Sequence, residues 1–410
     1  MNSPFKKAMA EATRLTRQGR LADAMASLRG ALPGTASRPA DAPRHRSEPG
    51  KRTIDLEPPA AEGGAWTAPP SDSPRAEAHP WTGIAEGLAQ AGVPEAMREF
   101  LGRVGQGGPV AGFEGPFKPA PGAPAAPLPD GARFEERAFA GEAGRRSYKL
   151  YVPSGYRGQA LPLVVMLHGC TQSPDDFAAG TQMNALAEEQ TFLVAYPAQT
   201  KAANASKCWN WFNADDQQRD RGEPALIAGI TRQIMGEFPV DPGRVYVAGL
   251  SAGGAAAAIM GSTYPDLYAA VGVHSGLACG AARDVASAFA AMRQGGPARS
   301  GRTGKPVPTI VFHGDRDKTV NPVNGDQVIA QSKAGSDLRQ TVSRGESPGG
   351  VRYTRTVQSD EEGHPVLEHW VLHGAGHAWS GGSPAGTYTD PRGPDASREM
   401  LRFFRERRTA

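Results

Sequence analysis

The sequence predicts an α/β fold: a mostly parallel central sheet flanked by helices, preceded by an N-terminal helix and a disordered linker. Three observations carry this expectation. From about residue 133 onward, short β-rich runs alternate with stretches of helical periodicity, the pattern of a parallel sheet wrapped by helices. The run Leu163-Val-Val-Met-Leu167 is apolar at every position, as a central strand covered on both faces requires. The pentapeptide Gly249-Leu250-Ser251-Ala252-Gly253 stands between one such run and a helix of small residues.

Residues 3–32 read as one amphipathic helix. Phe5, Met9, Ala12, Leu15, Thr16, Leu21, Ala24, Met25 and Leu28 fall on one stripe, at helical spacing. Arg14, Arg17, Arg20 and Arg29 make the other face basic, and Gly19 weakens the middle. Such a helix docks on another domain, pairs with itself, or adheres to an apolar surface such as a polymer granule. Residues 33–130 hold eighteen of the 36 prolines. Sequence dominated by Pro, Ala and Gly buries too little apolar surface to offset its ordering entropy, so a linker with polyproline II character is expected, with at most a weak helical island at residues 84–101.

Residues 131–410 read as one catalytic domain. Strands are expected over residues 134–140, 146–152, 163–167, 192–196, 245–248, 270–274, 309–312 and 367–372. Helices are expected near residues 181–190, 223–237, 252–263, 284–293, 323–332 and 395–406. The first two strands follow each other directly, as an antiparallel edge does, and the rest alternate with helices.

Composition narrows the function. A net charge of +3, from 45 basic and 42 acidic residues, gives no footprint for nucleic acid. No apolar run approaches the length of a membrane span. The first ten residues carry two lysines without an apolar stretch after them, so no secretory signal peptide is expected. Cys170, Cys208 and Cys279 fit no zinc spacing and are too few for a disulfide scaffold.

The pentapeptide around Ser251 has the strand–turn–helix context of a nucleophile elbow, the hallmark of an α/β-hydrolase fold. Its turn is sharp, so the positions two before and two after the serine must be tiny, and Gly249 and Gly253 meet that need. A serine hydroxyl needs a general base, and in this fold the chain order is Ser, acid, His. His377, in His373-Gly-Ala-Gly-His377 after a late strand, is the candidate base, with His373 as its rival. The apolar run 309–312 ends in His313-Gly-Asp-Arg-Asp317, where Asp317 is the candidate acid and Asp315 the turn-shaping alternative. The run 163–167 ends in His168-Gly-Cys170, so the backbone N–H groups of Cys170 and Ala252 are the candidate oxyanion donors. In the insertion at residues 197–222, Trp209 and Trp211 either wall an acyl pocket or cover the core.

The motifs His168-Gly-Cys-Thr-Gln172, Cys208-Trp-Asn-Trp211, Arg221-Gly-Glu-Pro-Ala225, Gly249-Leu-Ser-Ala-Gly253, His313-Gly-Asp-Arg-Asp317 and Gly376-His-Ala-Trp379 occur here in that order. Over about residues 133–406 the chain thereby resembles the poly(3-hydroxybutyrate) depolymerase-like esterases, which include feruloyl and acetylxylan esterases. The resemblance implies a serine esterase that needs no metal or cofactor, acting on a polyester or oligomer, with the triad on Ser251, Asp317 and His377. It adds Trp379 to Trp209 and Trp211 as candidate substrate contacts. Together with position, it also implies a disulfide between Cys170 and Cys208. Family habit implies an extracellular protein, whereas the N-terminal sequence points to the cytoplasm. Many secreted members carry a separate polymer-binding domain; here residues 3–32 and the linker stand in its place. Ser380 replaces an expected proline. Two other functions compete: a carbohydrate esterase releasing feruloyl or acetyl groups, and a binding protein on a hydrolase scaffold held to a granule or partner by residues 3–32.

Overall fold

The computed structural model describes residues 128–297, 307–333 and 337–409. The helix expected over residues 3–32, and the linker up to residue 127, lie outside these. The strands β1 (Arg133–Gly141) and β2 (Gly144–Val152) form an antiparallel hairpin, in register from Arg133↔Val152 to Gly141↔Gly144. β3 (Leu161–Leu167), β4 (Leu193–Pro197), β5 (Val240–Leu250), β6 (Ala270–His274), β7 (Thr309–Gly314) and β10 (Pro365–Leu372) run parallel to one another. With β8 (Arg339–Glu346) and β9 (Arg352–Ser359) they make one sheet, ordered β1-β2-β4-β3-β5-β6-β7-β10-β9-β8.

The helices are α1 (Pro174–Thr181), α2 (Met183–Gln190), α3 (Gly222–Glu237), α4 (Ala252–Thr263), α5 (Val285–Gln294), α6 (Val323–Lys333) and α7 (Ala396–Arg405). They cover both faces of the sheet. Successive side chains of a strand point to opposite faces. Leu163, Val165 and Leu167 of β3 therefore join one apolar cluster with Ile227, Ile230 and Ile234 of α3. Val164 and Met166 join the other, with Phe177, Met183 and the α7 residues Met400, Leu401, Phe403 and Phe404. Asp395 caps α7 by accepting from the Arg398 N–H at 2.9 Å. Phe404 stacks on Tyr246 with ring centroids 5.0 Å apart; truncating a buried ring of this kind to alanine costs about 3–5 kcal/mol.

The strict alternation expected after β2 fails at one place. Between α6 and β10 the chain adds β8 and β9, an antiparallel pair beyond β10. β8 is exposed along nearly its whole length, so it carries no apolar period. Helix α1, also unexpected, is short, capped by Ser173 and opened by Pro174.

Because β3, β5, β7 and β10 are parallel, the loops that follow them all emerge at the same edge of the sheet. In open α/β sheets this is the edge where ligands bind.

Candidate active site

Ser251 ends β5 and opens α4 with φ 57° and ψ −119°, a sparsely populated conformation for a non-glycine residue. The turn leaves no room for side chains at its flanks. A Cβ on Gly249 would overlap the carbonyl of Gly253, and one on Gly253 would overlap those of Leu167 and His168. The Ser251 N–H is held by the carbonyl of His274 at 2.9 Å.

The turn after β3 lies against this elbow: a Cβ built on Gly169 would sit 3.6 Å from the Ser251 Cβ. Cys170 follows Gly169, and Ala252 is the first residue of α4. The first N–H groups of a helix have no intrahelical acceptor and stand at the positive end of its dipole. Both expected donors are thus on backbone bordering the serine. Several bonds fix the turn. Gly169 N–H donates to Gln172 Oε1 at 2.8 Å, and Thr171 N–H to the Ser206 carbonyl at 2.7 Å. Cys170 and Cys208 are joined by a disulfide. His168 is buried, with Nδ1 2.7 Å from the Gly169 carbonyl and Nε2 accepting from the Gln199 N–H at 3.0 Å. Burial pushes its pKa down to about 4, so the ring is neutral with its proton on Nδ1.

The loops after β7 and β10 bring Asp317 and His377 together, with Nδ1 of the histidine 2.7 Å from Oδ2. Asp317 Oδ1 accepts from the backbone of Thr319 and Val320 at 2.8 and 2.9 Å. Burial alone raises the pKa of this carboxyl, but His377 and His313 beside it outweigh burial and hold it well below the usual range. An ionised Asp317 fixes the proton of His377 on Nδ1 and leaves Nε2 as the basic nitrogen. The two rivals pair with each other instead: His373 Nδ1 lies 2.9 Å from Asp315 Oδ2.

Two further histidines belong to the site. His313 Nε2 lies 2.8 Å from the Val320 carbonyl and 3.5 Å from Asp317 Oδ2. It closes an apolar strand in the motif ending at Asp317, but the sequence alone gives it no role in the site. His274, the last residue of β6, accepts from the Ser380 N–H at 3.0 Å. Burial first, then His313 and His377, push its pKa down to about 3. Its carbonyl holds Ser251 and its ring holds the segment just past His377, so one residue ties the candidate nucleophile to the loop of the candidate base.

Trp209 and Trp211, read as either pocket wall or core cover, and Trp379, implied as a substrate contact, are in the core. Trp209 has no exposed surface and donates its indole N–H to the His168 carbonyl at 3.1 Å. Trp211 is 6% exposed, edge-on to Phe212. Trp379 is 1% exposed, stacked on His274 and bonded to Ser397 Oγ at 3.0 Å. Trp209 and Trp379 offer next to no surface to a ligand and Trp211 little; in each case neighbouring apolar surface takes up the indole. The loop holding Trp209 is anchored by Glu223, which accepts from Asn210 N–H and Nδ2 at 2.7 and 2.9 Å and from Gln199 Nε2.

Among the described residues, one His/Asp/Glu group is compact enough for a metal ion: Asp360, Glu362 and His364. It lies in the turn before β10, at the opposite end of that strand from His377.

The family described as "Esterase PHB depolymerase" matches residues 146–340, a span that includes Ser251 and Asp317. Poly(3-hydroxyalkanoate) depolymerase C of Paucimonas lemoignei is 35% identical over 253 residues, covering 59% of this chain and 58% of that protein. This chain thus spans little more than half of that depolymerase. Feruloyl esterase B of Thermothelomyces thermophilus is 30% identical over 236 residues, covering 53% of this chain and 78% of that protein. Among solved structures, an acetyl xylan esterase from Aspergillus awamori superposes with a TM-score of 0.54 at 21% identity, covering 66% of this chain and 98% of the other. That likeness and the sheet order show the α/β-hydrolase fold.

Proposed function

This chain belongs to the esterase PHB depolymerase family, and we propose that it hydrolyses carboxylic esters through an acyl-enzyme on Ser251. The observation that carries the reading is the left-handed serine on its glycine-flanked elbow, at the same sheet edge as the bonded Asp317–His377 pair. His377 takes the proton from the Ser251 hydroxyl as its oxygen attacks the ester carbonyl. The tetrahedral oxyanion is met by the N–H groups of Cys170 and Ala252, each such donor contributing roughly 3 kcal/mol to the transition state. Collapse breaks the ester C–O bond, and the alcohol leaves with the proton from His377. Water, deprotonated by the same histidine, then releases the acid.

The substrate we propose is a short hydroxyacyl polyester or its oligomers, on the strength of the likeness to the Paucimonas lemoignei depolymerase. The likeness to feruloyl esterase B, most of which this chain spans, supports a second reading as a feruloyl or acetylxylan esterase. The disulfide beside the site favours an oxidising compartment. Residues 3–32 are the proposed contact with a polymer surface.

The deciding experiment compares wild type with Ser251→Ala on amorphous poly(3-hydroxybutyrate), ethyl ferulate and p-nitrophenyl acetate. Release of 3-hydroxybutyrate, lost in the variant, establishes the depolymerase. Serine-dependent cleavage of the small esters alone moves the substrate to the second reading. Turnover of none of them returns the chain to a binding protein on a hydrolase scaffold.

A further inference from the structure

The segment His373-Gly-Ala-Gly-His377 must place the imidazole of the proposed base; Ala375 is buried and its backbone lies close against Gly314, but the two glycines beside it are not packed in. A Cβ on Gly374 or Gly376 would have nothing within 4 Å, and Gly374 sits at φ 78°. Polar bonds do the holding. Asp315 N–H donates to the Leu372 carbonyl and Arg316 N–H to that of Ala375, both at 3.0 Å. Asp315 Oδ1 accepts from the Gly374 N–H at 2.7 Å, while its Oδ2 lies 2.9 Å from His373 Nδ1. The far side of the His373 ring is engaged too: Nε2 is 2.9 Å from the hydroxyl of Thr354 on β9. Thr354 stands opposite Val371 in the antiparallel β9–β10 ladder. The His373 N–H also reaches across, to the Arg352 carbonyl at 2.8 Å.

We propose that Thr354, His373 and Asp315 form a positioning relay that sets the loop carrying the catalytic base and acts through the Asp317–His377 pair. This deepens the hydrolase reading above and rests on it. None of the three is a catalytic residue; they act through His377. The relay gives the β8–β9 hairpin a role: it delivers a hydroxyl to the outer nitrogen of His373, and so couples the last edge of the sheet to the nucleophile's base. In the relay, Nδ1–H of His373 donates to Asp315 and Nε2 accepts from the Thr354 hydroxyl.

The test is a set of variants assayed for kcat and KM on p-nitrophenyl acetate, and for the rate at which a fluorophosphonate labels Ser251. A misplaced reacting group costs on the order of 10²-fold in rate. His373→Ala is expected to lower kcat about 10- to 100-fold with KM within about twofold. Thr354→Val is expected to lose about tenfold, and Thr354→Ser, which keeps the hydroxyl, to match wild type. In an Asp317→Asn background, His373→Ala should bring no further loss, since the relay works only through that pair. Wild-type kcat in both His373→Ala and Thr354→Val overturns the relay, as do fully additive losses in the double variant. Fluorophosphonate labelling reads the loop without any ester. The relay is therefore judged there even where wild type turns over no ester, an outcome that would sink the hydrolase reading by itself.

Discussion

Trp209 donates its indole N–H to the carbonyl of His168 across 3.1 Å, while Cys208 beside it is bonded to Cys170. One loop therefore grips the turn next to Ser251 at two points, one polar and one covalent. The double variant Cys170→Ala/Cys208→Ala removes the covalent grip only. With the cysteines 38 positions apart in the sequence, the unfolded chain gains freedom worth about 4 kcal/mol in the loop-closure picture. A lower melting temperature in calorimetry, with kcat reduced and KM little changed, is the expected result. Unchanged stability would show that Trp209 and its neighbours alone define the turn.

The elbow tolerates no side chain at Gly253, where a Cβ would collide with backbone rather than with a movable group. Gly253→Ala is expected to destabilise the domain by more than about 4 kcal/mol, among the largest single-residue effects. Soluble yield and a urea midpoint measure it directly.

Asp317→Asn keeps the size of the side chain but removes the charge that fixes His377. A loss of about 10⁴-fold in kcat is expected, because the imidazole then adopts the wrong tautomer. Thr319 and Val320 can still donate to the remaining oxygen, so circular dichroism should stay that of wild type. A loss below tenfold would point to Asp315 as the working acid.

Stability should depend on pH through groups of opposite sign. Glu223 is pushed up from 4.5 to about 7, by burial first and then by Asp216. Between those values the folded chain keeps a proton that the unfolded chain has lost. Its contribution is fully present below about pH 4.5 and is lost as the pH rises to about 7. His168 and His274 are lowered from 6.5 to about 4 and about 3, so they favour the fold above 6.5 and lose that contribution as the pH falls. Glu223→Gln removes the opposing group. Measured by urea unfolding, the variant should gain on wild type by roughly 1–3 kcal/mol between pH 4.5 and 8. A constant gap would mean that Glu223 does not titrate there.

The parallel core is legible in the sequence because burial on both faces leaves unbroken apolar runs such as 163–167, and α4 follows from its small residues. β8 and β9 are not, since a strand exposed along its length, like β8, or half-buried at nearly every position, like β9, carries no apolar period that distinguishes it from a polar loop. That omission hides part of the site, because Thr354 lies on β9. Ser251, Asp317 and His377 are readable through the glycines that tight turns and close-lying loops demand. The depth of Trp209, Trp211 and Trp379 is not, because an indole suits a pocket wall and a core equally well until neighbours are placed. His313 and His274 escape for a related reason: within an apolar strand a histidine reads as packing, and only the neighbouring loops show what its ring nitrogens meet.

The serine, the acid and the base follow β5, β7 and β10, and only β6 separates the first two strands in the sheet. A chain cut between Gln294 and Thr309 would carry the nucleophile on one piece and the acid and base on the other. Neither piece could turn over an ester alone, and pairing of β6 with β7 would assemble the machinery across the cut. Turnover would then count reunited halves, which makes this seam a natural place for a split reporter. On the proposed mechanism, the same order means that during synthesis the serine emerges long before its base, and the growing chain would stay chemically silent until its last parallel strand is in place.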